Sequence, residues 1–344
     1  MSSINEVAKL ANVSKSTVSN VFSQKRPISK EVTERVLQAA KELKYKPNYL
    51  ARSLAIKQTR IIGINMPRER AKFSQFHLSL LNGVLSECYE KGYRLLINSL
   101  ADTFKEKVEF IASDPVDGEI ILDPADDKDK RMEDRMNQGV PFVVVGKPPK
   151  ILETSIPYVD NDNFAVGSQV TQYLLSLGHK RILFLNAPKY RTVSIDRYQG
   201  YKHALTSAGL PNDADLASFL EESKTSAEFG YEQTKAILNT GSNITAIITD
   251  SYKMAIGVYR AAEELGYCIP DDLSVISFSN DSTYADVLKP PLTCVDLNAE
   301  ILGREAAKLL LERLEEKNSI VKRIIIPSEF VERGSCKRAN KETK

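Results

Sequence analysis

A short helix near the amino terminus is predicted to present small polar side chains on its outer face. Val18, Val21 and Phe22 recur at helical spacing, so they predict one buried face. The opposite face carries Lys15, Ser16, Thr17, Ser19 and Asn20. Solvent-facing helices usually carry Glu and Lys pairs, whereas hydroxyls, an amide and one lysine can hydrogen-bond to base edges and phosphates in a DNA major groove. The pattern therefore indicates contact with DNA.

Two further helices are predicted around that polar face. Ser3 lies three residues before Glu6, a spacing typical of a capping box at the start of a helix. Ser14 can cap the polar helix, and Ser29 can cap a third helix over residues 30 to about 44. Apolar residues recur at helical spacing in all three segments, so the helices can share a core. The sequence therefore predicts a small helix-turn-helix head.

A second candidate DNA-contacting segment follows the head. Pro47 ends the preceding helix, and Asn48 can cap a new helix that runs to about Ile56. A helix this short is not stable alone in water, so we expect it to form when two copies pack together on DNA. Leu54 would then insert between base pairs in the minor groove. The alternative is a flexible linker whose Leu54 packs on the rest of the chain.

Basic residues are concentrated in this part of the chain. Residues 1–58 contain eleven Lys or Arg and four Asp or Glu, whereas the whole chain of 344 residues has a net charge of only +2. The remainder is therefore acidic. This division places a phosphate-binding surface at one end of the molecule.

Two motifs in this region point to a known family. The first is Val-Ala-x-x-Ala-x-Val-Ser-x-x-Thr-Val-Ser at residues 7–19, and the second is Pro-Asn-x-x-Ala-Arg-x-Leu at residues 47–54. With these motifs the head resembles that of the LacI/GalR family of bacterial transcription regulators. The resemblance extends to Glu-Arg-Gly-Ser at residues 332–335, so it covers nearly the whole chain. It is closest to the repressors that respond to oligosaccharides, of the maltose and multiple-sugar operon type.

The resemblance implies a role for each polar residue of the head. Bases would be read by Lys15, Ser16 and Asn20, phosphates would be contacted by Thr17, Ser19 and Ser29, and the minor groove by Asn48, Ala51 and Leu54. Asn20 replaces the arginine common in the family, and an amide favours adenine where arginine favours guanine. Asn12 replaces the usual turn glycine, which is acceptable because Asn tolerates a left-handed conformation.

The remaining part of the chain, roughly 286 residues, alternates short β-branched runs with amphipathic helical stretches. This pattern predicts an α/β body with doubly wound parallel sheets, and the length suggests two lobes. The predicted strands are 60–64, 94–98, 119–122, 142–145, 181–185, 246–249 and 274–278. The resemblance implies a periplasmic-binding-protein-like body in which the chain crosses between lobes near Asp160, Pro290 and Pro327.

These expectations divide the chain into three parts. They are a helix-turn-helix head at 1–46, a hinge helix and linker at 47–58, and an effector-binding and dimerisation body at 59–344. Within the body, the N-lobe is expected at about 59–160 plus 291–325 and the C-lobe at about 161–290 plus 326–336, with a tail at 337–344.

A small molecule is expected to bind between the lobes, at the carboxyl ends of the strands. Arg197 lies in Ser-Ile-Asp-Arg-Tyr-Gln-Gly (194–200), which resembles the effector-binding region of the family, and Asp250 follows a predicted strand. A guanidinium and a carboxylate that converge on vicinal hydroxyls suit a sugar. The alternative is that both side chains simply pair with neighbours. Asp160 and Phe76 are further candidates by position.

The expected cleft departs from the family pattern at two places. Ser279 or Asn280, depending on the alignment, replaces the usual carboxylate. Lys224 stands where lactose-type relatives carry a ring that stacks on the ligand. The rings that could supply a stacking face instead are Phe76, Tyr190 and Tyr284.

Other function classes are disfavoured. A Gly-x-Gly-x-x-Gly after the first strand and a Walker-type phosphate loop are both absent, which argues against a dehydrogenase or a kinase. The three histidines are too dispersed for a metal site or a catalytic triad, so neither metal nor cofactor is expected. The four cysteines are isolated and predicted to be reduced thiols. Because no signal peptide or membrane span is apparent, a secreted sugar-binding protein is disfavoured and a cytoplasmic location is expected.

Together these features predict a homodimer that represses a carbohydrate-utilisation operon. Two heads would bind a pseudo-palindromic DNA operator, and a sugar or oligosaccharide in the cleft would release it. The charged segment after Ser335 lacks leucine heptads, so a dimer rather than a tetramer is expected. The alternative is a regulator of the same family that depends on a corepressor or a protein partner, of the catabolite or purine type.

Overall fold

A computed structural model describes the fold for residues 2–23, 26–46, 58–66, 73–98, 115–126, 129–211, 213–221, 223–280, 287–316 and 320–339. The predicted hinge helix, with Asn48, Ala51 and Leu54, lies outside the described residues, as does Tyr284.

The head consists of three helices, α1 (Ile4–Leu10), α2 (Lys15–Ser23) and α3 (Lys30–Glu42). The Ser3 capping box with Glu6 is confirmed, as are the caps by Ser14 and Ser29. Asn12 adopts the expected left-handed conformation with φ of 51°. The three helices bury a common core around Val7, Val18 and Val36, so the predicted helix-turn-helix is confirmed.

The N-lobe is a six-stranded parallel sheet covered by helices. Its elements are β1 (Ile61–Asn65), α4 (Gln75–Glu90), β2 (Arg94–Asn98), β3 (Gly118–Leu122), α5 (Arg131–Gln138), β4 (Phe142–Val145), β5 (Tyr158–Asp160), α10 (Ala299–Glu316) and β11 (Arg323–Ile325). The strand order is β11-β5-β4-β3-β1-β2. The main core lies between this sheet and the closely packed helices α4 and α10.

The C-lobe repeats this architecture. Its elements are α6 (Asn163–Ser176), β6 (Ile182–Asn186), α7 (Thr192–Ser207), β7 (Ala217–Phe219), α8 (Ser226–Asn239), β8 (Ala246–Thr249), α9 (Tyr252–Glu264), β9 (Ser274–Ser277), β10 (Thr293–Asp296) and β12 (Glu329–Val331). The strand order is β12-β10-β9-β8-β6-β7, with β12 antiparallel to β10 and the other pairs parallel. Cores form on both faces of this sheet.

One expected crossing between the lobes is wrong. The sequence predicts that the N-lobe resumes at residue 291, after a crossing near Pro290. Instead β10 pairs with β9 and β12 of the C-lobe sheet, so the chain crosses at Leu297 and Asn298. Non-local pairing with β12, more than thirty residues further along the chain, fixes the lobe of this strand, and local sequence does not encode such pairing.

A single buried side chain joins the three segments that cross between the lobes. Asn161 follows β5, and its Nδ2 donates hydrogen bonds to the carbonyl oxygen of Leu297 at 3.1 Å and to that of Ile326 at 2.9 Å. The amide of Ile326 donates to the carbonyl oxygen of Asp160 at 2.8 Å. On the exposed side, Asn298 donates to Pro327 at 2.9 Å. These contacts hold the three crossing segments as one hinge.

We predict that Asn161→Ala lowers the free energy of unfolding by about 2 to 4 kcal/mol, because it leaves two buried carbonyl groups unpaired and a cavity between the segments. Urea unfolding followed by circular dichroism measures the change. Asn298→Gly is the matched control, since it removes a hinge amide that bonds on the exposed side and suits the φ of 52° at that position. Equal losses for the two variants would contradict the assigned importance of the buried amide.

Candidate functional site

A cleft of about 2240 Å³ lies between the lobes, at the carboxyl ends of both sheets. Residues at or just after the ends of most strands line it, including Asp123 after β3, Asp160 in β5, Phe219 in β7 and Asp250 after β8. Typical ligand pockets have roughly 300 to 1,000 Å³. The cleft therefore has room for a ligand larger than one sugar ring.

Arg197 is the buried centre of the C-lobe wall. It lies on α7, which packs closely against α6 because Gly167 of α6 has no side chain. A Cβ at Gly167 would stand 2.3 Å from the Arg197 carbonyl oxygen. Its Nε donates to Asn163 Oδ1 at 3.0 Å and its Nη1 to Asp250 Oδ1 at 2.8 Å, while the guanidinium lies 4.7 Å from the centre of the Phe278 ring. Burial raises the pKa of Asp250, and the charge of Arg197 opposes that rise.

Asp160 stands beside this pair at the first crossing segment. Its Oδ1 accepts hydrogen bonds from the Asn161 amide at 2.8 Å and from Asn163 Nδ2 at 3.0 Å. Burial raises the pKa of Asp160 to about 7, although the Asn161 amide and Arg197 both favour the charged form. With this pKa the carboxyl group is present in both its neutral and its charged form near neutral pH, and its neutral form can both donate and accept hydrogen bonds toward the cleft.

A second charged cluster joins the two lobes and was not predicted from the sequence. Asp123 Oδ2 of the N-lobe lies 3.0 Å from Arg191 Nη1 of the C-lobe and 3.0 Å from His77 Nε2. The Ser74 amide donates to His77 Nδ1 at 3.2 Å, so the other ring nitrogen carries the proton that points to Asp123. Burial disfavours the charged form, but His77 and Arg191 outweigh burial and hold the pKa of Asp123 well below its usual range.

Backbone contacts reinforce this connection, which we call the clasp and define as residues 123–126 with residues 190–192. The Asp126 amide donates to the Tyr190 carbonyl oxygen at 2.8 Å, and Ala125 forms an isolated antiparallel bridge with Arg191. The Thr192 amide donates to the Pro124 carbonyl oxygen at 3.3 Å. Asp123 follows a buried strand as Asp250 does, a signal by which the sequence could have revealed it. Arg191, the partner of Asp123 across the cleft, has no such signal in the sequence.

The other predicted cleft residues divide into two groups. Ser279 and Phe76 line the cleft, and the Phe76 ring also packs against cores of both lobes. Asn280 does not line it, which corrects its assignment as a cleft residue: its Nδ2 donates to Asp296 at 2.8 Å and its Oδ1 accepts from Arg333 at 3.1 Å. Lys224 lies at the rim and pairs with Glu232 at 2.9 Å.

The predicted DNA-reading face of α2 is accessible. Lys15 and Ser16 are exposed, and Thr17, Ser19 and Asn20 are half-buried. The Ser14 hydroxyl lies 2.7 Å from the Ser16 hydroxyl and 2.9 Å from that of Thr17, so a chain of hydroxyls continues from the cap onto the outer face. The exposed Ser29 caps α3 through the Val32 amide. The face offers donors and acceptors together, as contact with bases and phosphates requires.

Among the helices that the structure describes, none is long and apolar enough to cross a membrane. Within the described residues, His, Cys, Asp and Glu side chains do not converge into a group that could hold a metal ion. His179 is buried, and its ring nitrogens lie within hydrogen-bond distance of the Thr245 hydroxyl and the Lys337 carbonyl oxygen.

Two family models match the chain. The model of bacterial regulatory proteins of the lacI family matches residues 3–48, and the model of the periplasmic binding protein-like domain matches residues 171–336. The first match covers the head, and the second covers most of the C-lobe together with the last part of the N-lobe.

Curated relatives match over almost the whole length. The HTH-type transcriptional regulator CelR of Thermobifida fusca is 31% identical over 334 residues, which cover 96% of this chain and 96% of that protein. The HTH-type transcriptional repressor PurR of Mannheimia succiniciproducens is 31% identical over 341 residues, covering 98% of this chain and 99% of that protein. Both relatives are transcriptional regulators and not enzymes.

Solved structures show the same fold. A transcriptional regulator CelR–cellobiose complex is 28% identical with a TM-score of 0.75, and the match covers 97% of this chain and 100% of that one. The lac repressor dimer bound to operator and the anti-inducer ONPF is 25% identical with a TM-score of 0.82, covering 98% and 99%. The periplasmic-binding-protein-like body predicted from the sequence is thereby confirmed.

We predict that Asp160→Asn abolishes one pH dependence of stability. The pKa of Asp160 is raised to about 7 in the folded state, whereas an unfolded chain has the ordinary carboxyl pKa of about 4. The free energy of unfolding of the wild-type chain should therefore be highest below about pH 4 and should fall as the pH rises from about 4 to about 7. The Asn variant keeps both acceptor bonds and lacks this loss, so its free energy of unfolding relative to wild type should increase by roughly 4 kcal/mol across that range. Urea unfolding at several pH values measures the difference. Parallel pH profiles would mean that Asp160 is charged in the folded chain.

Proposed function

The chain belongs to the lacI family of bacterial regulatory proteins, and we propose that it represses a carbohydrate-utilisation operon until a sugar binds between its lobes. The observation that carries the proposal is the polar group formed by Arg197, Asp250 and Asp160 at the carboxyl ends of the strands. This group lies beside the hinge, in a chain that also carries a DNA-binding head.

The chemistry of this group suits a polyhydroxylated ligand. The Arg197 guanidinium donates and the Asp250 carboxylate accepts, so neighbouring hydroxyls can bond to both. Ser279 adds a hydroxyl, and Phe76 adds an apolar ring at the N-lobe side. We therefore propose Arg197, Asp250, Asp160, Ser279 and Phe76 as effector-contacting residues. The CelR–cellobiose structure, a similar fold with a bound disaccharide, supports a sugar as the ligand class.

The switch is proposed to act through the hinge and the clasp. A ligand between the lobes changes how far they close, while the Asn161 hydrogen bonds keep the crossing segments together. The clasp residues contact both lobes, so their contacts must alter when one lobe rotates against the other. Rotation at the N-lobe changes how the two heads are presented to DNA. Because the linkage is reciprocal, DNA binding also changes effector affinity.

Operator recognition is proposed to use two copies of the chain. In this proposal the head at residues 1–46 binds one half-site, and the segment at residues 47–58 forms the hinge helix. The body at residues 59–344 binds the effector and forms the dimer, and the protein acts in the cytoplasm. Leu78, Leu85 and Tyr89 are exposed along one face of α4, and Ile97 is exposed on the edge strand β2. An apolar surface of this kind suits contact with a second copy. The lac repressor dimer on its operator supports this arrangement.

We predict that Arg197→Lys weakens release by sugar at least about tenfold and leaves operator affinity within about twofold. Lysine keeps the positive charge beside Asp250 but cannot bond to Asn163 and a ligand in the same fork geometry. Fluorescence anisotropy of DNA from the upstream region of the chain's own gene, titrated with mono- and oligosaccharides, measures both affinities. Arg181→Lys, at an exposed pair with Asp213 in the same lobe, is the control.

Three outcomes would contradict parts of this proposal. If sugars leave the complex intact and a sugar phosphate or a purine tightens it, the corepressor alternative replaces induction. If only a protein partner changes DNA affinity, the cleft is not the control site. If Arg197→Lys abolishes operator binding as well, the arginine maintains the fold and does not report on the effector.

We predict that Asn20→Arg shifts the preferred base at one half-site position from adenine to guanine. The amide can bond to adenine N6 and N7, whereas a guanidinium bonds to guanine O6 and N7, and such a pair discriminates by about 1 to 3 kcal/mol. Selection from a randomised operator library measures the preference. Gln38→Arg adds the same charge at an exposed position of α3 and controls for general attraction to phosphate. An unchanged base preference would exclude Asn20 from the reading surface.

A further inference from the structure

One aromatic ring in the cleft is available for a ligand. Phe219 ends β7 at the edge of the C-lobe sheet and lines the cleft. It is half-buried, and among the described residues it belongs to neither of the two core clusters of its lobe. An aromatic side chain that lines a cleft without contributing to a core has apolar surface that a bound molecule can cover.

The position of this ring is fixed by its neighbour. Tyr198 of α7 packs against Phe219 at 84° with ring centres 5.3 Å apart. Tyr198 lies in turn 6.0 Å from the buried ring of Phe184. Phe219 is therefore supported by the core although it lies outside it. A preorganised ring binds a partner without a large loss of conformational entropy.

Two ammonium groups flank the aromatic pair. Lys189 Nζ lies 5.9 Å from the centre of the Phe219 ring, and Lys202 Nζ lies 4.6 Å from the centre of the Tyr198 ring. Both lysines line the cleft, and neither forms a salt bridge with any residue that the structure describes. Each ammonium group lies over one face of its ring. An aromatic ring with ammonium donors close by suits a sugar, whose C–H face can stack on a free ring face while its hydroxyls accept hydrogen bonds.

The other aromatic candidates have different roles. Phe76 packs against cores of both lobes. Tyr190 belongs to the clasp, where its carbonyl oxygen accepts a hydrogen bond from the Asp126 amide of the other lobe. Phe219 lines the cleft and contributes to neither the clasp nor a core cluster of the described residues.

We infer that Phe219, backed by Tyr198 and flanked by Lys189 and Lys202, forms a second sugar-ring subsite at the cleft rim. The effector is then a disaccharide or a longer oligosaccharide, with one ring at Arg197 and Asp250 and the next ring on Phe219. The size of the cleft agrees with such a ligand. This inference rests on the proposed function, because it assumes that the cleft binds a sugar.

The test compares sugars of different length. Isothermal titration calorimetry of the full chain with glucose, cellobiose, maltose and the corresponding trisaccharides gives Kd for each. Phe219→Ala should raise Kd about tenfold for sugars of two or more rings and leave the glucose Kd within about twofold. Phe219→Tyr should restore the wild-type values. Phe164→Ala, which removes a half-exposed ring of the same lobe that does not line the cleft, should change neither.

Several results would overturn the inference. An equal loss for glucose and for the longer sugars would give Phe219 a structural role only, and no loss would remove it from the site. Preference of the unmodified chain for monosaccharides would exclude a second subsite. If the unmodified chain binds none of these sugars, the proposed function itself fails, and that result is obtained before any variant is compared.

Discussion

The two-lobed body depends on the hydrogen bonds of one buried amide. Asn161 must satisfy the carbonyl groups of Leu297 and Ile326 because those groups lie where two crossing segments pass through the interior without strand partners of their own. A buried carbonyl group without a partner would cost about 1 to 3 kcal/mol, so the three segments are held in one register. These hydrogen bonds hold the three crossing segments together at one point between the lobes. That constraint turns two α/β lobes into a hinged pair with a cleft.

The charge distribution of the cleft follows from this arrangement. Arg197 is buried next to the hinge and needs counter-charge, which Asp250 supplies in the same lobe. Asp123 instead finds Arg191 in the opposite lobe and His77 in its own. The first pair thus holds one wall of the cleft, whereas the second connects the walls to each other. In the proposed mechanism, a ligand that bonds to the first pair would alter the closure on which the second pair depends, so that binding would change the position of one lobe against the other.

The sequence indicated most elements of the fold, and the errors have a common physical origin. Strands such as Phe142–Val145 and Ala246–Thr249 are fully buried apolar runs, so composition alone identified them. The three-residue strands Tyr158–Asp160 and Arg323–Ile325 are too short to display a period. Thr293–Asp296 was assigned to the wrong lobe because its partners are distant in sequence. In the site, a motif and a strand end indicated Arg197 and Asp250, whereas the pairing of Asp123 with Arg191 exists only when the lobes meet.

Residues that maintain the fold are separate from those that could set specificity. In the head, Ser14 and Ser29 cap helices while Asn20 is left on the outer face, so a change from arginine to asparagine leaves the trihelical packing unaltered. In the body, Gly167 and Asn161 fix the positions of α7 and the hinge, while Phe219 and Lys224 lie on the rim, away from both. Substitutions at these cleft residues and on the outer face of α2 would therefore change the two proposed recognition surfaces and leave the core contacts intact. This separation agrees with the shared fold of a chain that is about 30% identical to its relatives.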